Sequence, residues 1–82
     1  MNLRLAYKLI AEAEHEPRGF LKVRGQAEAH EVHLMAEAGL VTANESDKLD
    51  PPEAMITRIT HAGHQFYHAL RNVRSFSNGL RV

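Results

Sequence analysis

The sequence predicts an α+β domain with the element order α-β-α-β-β-α. Three observations lead there. Apolar residues recur at helical spacing in three separate segments. Short runs rich in β-branched residues fall between them. Glycine and proline stand where one kind of pattern gives way to the other. A small three-stranded antiparallel sheet packed against three helices is the economical way to bury these stripes.

The first helix is expected over residues 3–16. Leu3, Leu5, Ala6, Leu9, Ile10 and Ala13 share one face, Asn2 suits the N-cap, and Glu12 and Glu16 lie toward solvent. Pro17 stops the helix and Gly19 turns the chain. Phe20-Leu21-Lys22-Val23 follows as a short strand ended by Gly25. A second helix runs from about Gln26 to Ala38, and Gly39 breaks it.

Leu40-Val41-Thr42 begins the second strand. Residues 44–53, with two prolines, two aspartates and two glutamates, read as a loop. Met55-Ile56-Thr57-Arg58-Ile59 resumes an extended strand, so strand, loop and strand make a hairpin. Thr60 caps a third helix from His61 to about Arg74. Its apolar stripe is Gly63, Phe66, Tyr67, Leu70 and Val73, with Gly63 allowing close approach to a neighbour. Residues 1–74 form the domain, and 75–82 a partly ordered tail with Phe76 and Leu80 as candidate interface residues.

Composition narrows the function classes. With 82 residues, 44% of them hydrophobic and 24% charged, the chain reads as one small globular domain. It has no cysteine, which excludes disulfides, thiolate catalysis and cysteine-based zinc sites and fits a cytoplasmic location. No apolar run approaches the ~20 residues of a membrane span. Arg4 and Lys8 interrupt the apolar pattern of the first ten residues, which argues against a signal peptide. No phosphate-binding glycine loop and no recognisable nucleophile–base pair occurs, so the chain is read as non-enzymatic and without a cofactor.

Two motifs carry a family resemblance. Glu31-Val32-His33-Leu34-Met35-Ala36-Glu37-Ala38-Gly39-Leu40-Val41 resembles the end of the recognition helix in small winged-helix regulators, where the usual form is H-L-x-L-L-x-x-A-G-L-V. Ile59-Thr60-His61-Ala62-Gly63-His64-Gln65-Phe66 resembles the L-T-x-x-G-H-x-F that follows the wing in a narrower group. That group consists of small proteins of unknown function from prophages, phages and plasmids. The resemblance spans roughly residues 3–74 and implies a winged-helix-like fold and no activity. Two features depart from DNA-reading members of the fold. Only nine residues, Pro17 to Gly25, separate the first two helices, which leaves out the helix that normally precedes the recognition helix. Glu31 replaces the leading histidine.

Charge bears on partners. Net charge is zero, yet residues 1–53 hold six Lys/Arg against all ten acids, for −4. Residues 54–82 hold Arg58, Arg71, Arg74 and Arg81 and no acid, for +4. Helix two carries Glu28, Glu31 and Glu37 and no Lys or Arg. The wing loop carries Glu45, Asp47, Asp50 and Glu53 against Lys48. Phosphate neutralisation supplies most non-specific DNA affinity, so both elements that would dock on DNA have the wrong sign. The residues left as candidate partner or nucleic-acid contacts are Lys22, Arg24, His30, His33, Arg71 and Arg74. A reading surface on helix two would consist of Gln26, His30, Glu31 and His33.

Six histidines occur, and His61, His64 and His68 fall within about 60° on one helical face. No acid or cysteine in that helix completes a metal site, so no metal is expected; near pH 6 these groups gain charge and make the C-terminal half more cationic. The expectation is a small binding module of phage or plasmid origin, acting through a protein partner or as a homodimer, with DNA-binding regulation as the second reading.

Overall fold

The computed structural model of the chain describes residues 1–46 and 48–73. Its elements are α1 (Leu3–Glu14), β1 (Leu21–Arg24), α2 (Gln26–Glu37), β2 (Val41–Ser46), β3 (Glu53–Ile59) and α3 (His61–Arg71). The sheet is antiparallel in the order β1-β3-β2, so the last strand lies in the middle. This is the α+β, winged-helix-like arrangement, with β1 and a single glycine where a further helix would precede α2.

The core follows the predicted stripes with three corrections, the first being that Leu3, at the very start of α1, is exposed. Ile10 of α1, Val32 and Met35 of α2 and Ile56 of β3 are fully buried and tie these elements together. Tyr7, outside the predicted stripe of α1, is buried and stacks on Tyr67 of α3 with ring centroids 5.1 Å apart. Stacked aromatic pairs add stability beyond their area, and this one joins α1 to α3. Val73, assigned to the stripe of α3, is exposed because the helix ends at Arg71. Helix α1 likewise ends at Glu14, before Pro17 is reached. The predicted loop 44–53 is shorter: β2 continues to Ser46 and β3 begins at Glu53. Arg74 and the tail residues Phe76 and Leu80 lie outside the described residues.

The two motifs meet in space. Helix α2 ends with Gly39 at φ +79°, and the N–H groups of Gly39 and Leu40 bond the carbonyls of Ala36 and Met35. That is the helix-terminating pair of bonds that a left-handed glycine permits. The carbonyls this turn presents are taken by Thr60. Its N–H bonds the Leu40 oxygen at 3.0 Å, and its hydroxyl reaches the Gly39 and Leu40 oxygens at 2.6 and 2.9 Å. The same hydroxyl accepts the Gly63 N–H at 3.0 Å and so caps α3. A Cβ on Gly63 would collide with the Leu40 carbonyl and come within 2.8 Å of Ile59. The A-G-L-V and I-T-x-x-G-H segments are therefore two halves of one junction. Their shared presence follows from how the fold closes.

Candidate functional site

Helix α2 packs across β2 and β3, and a cleft of about 290 Å³ opens between its exposed side and the loop end of the hairpin. Gln26, Ala29, His30 and His33 line it from the helix, spaced at three and four residues. Glu45 and Ser46 line it from the end of β2, Pro52 from the loop, and Glu53 from the start of β3. Glu45 pairs in register with buried Ala54, which turns its side chain to the helix side of the sheet.

His33 sits between two carboxylates. Its Nδ1 lies 2.8 Å from Glu45 Oε1, and its Nε2 lies 3.5 Å from Glu37 Oε1. Both ring nitrogens face acids, so neither is turned to the Ser46 hydroxyl as a base. Gln26, His30 and Ser46 form no side-chain hydrogen bond or ion pair with any described residue. Glu45 spends one oxygen on His33 and leaves the other open.

The predicted cations are already engaged or stand elsewhere. Lys22 and Arg24 on β1 both reach Glu53, at 3.2 and 3.7 Å. Arg71 is in the last turn of α3, which packs on α1 and β3, beside Tyr67. Glu28 folds back over Gly25, at the start of α2, where a helix would otherwise attract a phosphate.

A family model described as hypothetical protein (DUF2513) matches residues 5–78, most of the chain and both motifs. The chain belongs to the DUF2513 family. No curated protein and no solved structure matches this DUF2513 chain.

One predicted contact residue of the DUF2513 chain is displaced. Glu31, grouped by sequence with the reading surface, is 4% exposed and points at α1. Both its oxygens accept the Asn2 N–H, at 3.2 and 3.1 Å, at the N-terminal end of α1. His30 and His33 keep their exposed positions on α2. Sequence reasoning treated Glu45 only as a wing charge and did not pair it with His33. Alternation along β2 from buried Val41 to Glu45 is the signal that could have placed it, but a bulge between Thr42 and Ala43 shifts that register.

On α3 the histidines disperse. His64 Nδ1 lies 3.2 Å from Glu14 of α1, His68 meets the Tyr67 ring edge-on, and His61 is exposed. Among the described residues no three His, Cys, Asp or Glu side chains are placed to hold a metal ion. Burial, with the charge and hydrogen bond of Tyr7, holds the Tyr67 phenol above its ordinary 10.0, against the pull of Arg71. No helix among the described residues is long and apolar enough to cross a membrane.

Proposed function

We propose that this DUF2513 chain is a small, non-enzymatic binding module of phage or plasmid origin that works in the cytoplasm through a protein partner, a second copy included. One observation carries the reading. The helix at the recognition position meets the hairpin across a cleft whose charged lining residues, histidines apart, are Glu45 and Glu53. Phosphates are repelled by such a lining, whereas side chains of a protein partner find acceptors and apolar walls there. Lys22 and Arg24, the cations beside this face, are shared with Glu53.

Regulation by DNA binding is the second reading, and the exposed side chains of Lys22 and Arg24 on a winged-helix-like frame favour it. Mobility-shift titrations against random and host genomic duplexes, at low and moderate salt, separate the two. The expected result is no tight, steeply salt-dependent complex. Tight binding that is lost in the Arg71→Glu/Arg74→Glu variant overturns the protein-binding reading. Sedimentation of the free chain, with capture experiments in the native host, then distinguishes a second copy from a host protein.

A further inference from the structure

We propose that the cleft between α2 and the loop end of the hairpin takes an arginine side chain of the protein partner, an inference that rests on the protein-binding reading. The argument is one of complementary valence. Gln26, a ring nitrogen of His30 and the open oxygen of Glu45 can all accept a hydrogen bond, and none of the three is used by a described residue. Among the described residues, no lysine or arginine lines the cleft. A guanidinium offers five donors in a fixed plane and accepts nothing, so it answers this set group by group. An ammonium brings three donors at one point and engages fewer of the acceptors. A carboxylate or phosphate ligand, although Gln26 could donate to it, is opposed by the Glu45 carboxylate.

The walls agree with the head group. Ala29 and Pro52 give the cleft an apolar lining suited to the methylene stem of a long basic side chain. A volume of about 290 Å³ accepts a side chain and excludes a folded element. His33 holds Glu45 toward the helix at 2.8 Å, so the carboxylate is positioned before a ligand arrives.

The experiment is a two-dimensional amide NMR titration of the full chain with the capped pentapeptide Ala-Val-Arg-Val-Ala at millimolar concentration. Two further peptides replace the arginine by lysine or by citrulline, which keeps the shape and removes the charge. The expected result is shifts confined to Ala29, His30, His33, Glu45 and Ser46, about tenfold weaker with citrulline and weaker with lysine than with arginine. Glu45→Gln and, separately, His30→Ala weaken the arginine peptide while the rest of the spectrum stays native. Equal shifts with citrulline, shifts centred on another face, or no shift at all overturn the inference, and these readings need no variant to fold. If a host protein is captured equally by the wild type and by Glu45→Gln, the arginine inference fails and the protein-binding reading stands. If the chain instead binds duplex DNA tightly, the protein-binding reading itself fails.

Discussion

Glu31 shows what a single side chain can be asked to do in a small core. Its carboxylate is nearly excluded from water, and both oxygens meet one backbone N–H at the start of α1. The positive end of a helix is a favourable place for a buried negative charge, and here the charge comes from another helix 29 residues away. Removing it strands the Asn2 donor and leaves a void. Glu31→Ala is therefore expected to cost about 1–3 kcal/mol, read as a fall of roughly 4–24 °C in the thermal midpoint. Glu31→Gln retains an acceptor of the same length and is expected to lose less. Equal stability of all three chains by calorimetry contradicts the role. Gly63 is the other residue on which closure depends, for a steric reason. The Leu40 carbonyl occupies the space of a Cβ, and backbone cannot rotate aside as a side chain can. Gly63→Ala is expected to destabilise by about 1–3 kcal/mol in urea unfolding, although alanine is the better helix former.

The elements were readable from sequence wherever one stripe or one turn decided them. Leu9, Ile10 and Ala13 mark α1, Gly39 ends α2, and Thr60 starts α3, each by local chemistry. What sequence could not supply is the pairing of groups that only the tertiary fold brings together. Glu31 looked like a surface residue because α2 has little amphipathic contrast, and its burial depends on where α1 comes to rest. The His33–Glu45 pair spans 12 residues and a bulged strand, so periodicity along either element misses it. Tyr7 was missed in the same way, since its partner Tyr67 stands on another helix. That α1–α3 contact has a pH signature. The folded chain keeps the Tyr67 proton at a pH where the unfolded chain has lost it, because the folded value is raised above 10.0. The resulting stability is complete below about pH 10 and is lost as pH rises through the folded value. The wild type is expected to lose unfolding midpoint above about pH 10 more steeply than Tyr67→Phe does. Parallel decline of the two chains, followed by circular dichroism, would refute the assignment.

Across the molecule, the charge of the two halves cancels in sum and not in place. The helix, β2 and the hairpin loop that would dock on DNA belong to the acidic half, while Arg58 is carried by β3 and Arg71 by α3. An association driven by the winged-helix face has few cations to use. Lys22, Arg24, Lys48 and Arg58 are the lysines and arginines on β1, α2 and the hairpin, and the first two are shared with Glu53. Each neutralised phosphate contributes about −0.9 to the slope of log K against log salt, so four contacts set a limit near −4. Fluorescence anisotropy with a labelled random duplex, followed from low to moderate salt, measures that slope directly. The expected outcome is weak binding with a slope shallower than about −4, flattened further by Lys22→Gln and Arg24→Gln. A slope of about −6 or steeper means that phosphates are met by another surface. The winged-helix-like frame would then be docking in an orientation that the acidic cleft does not govern.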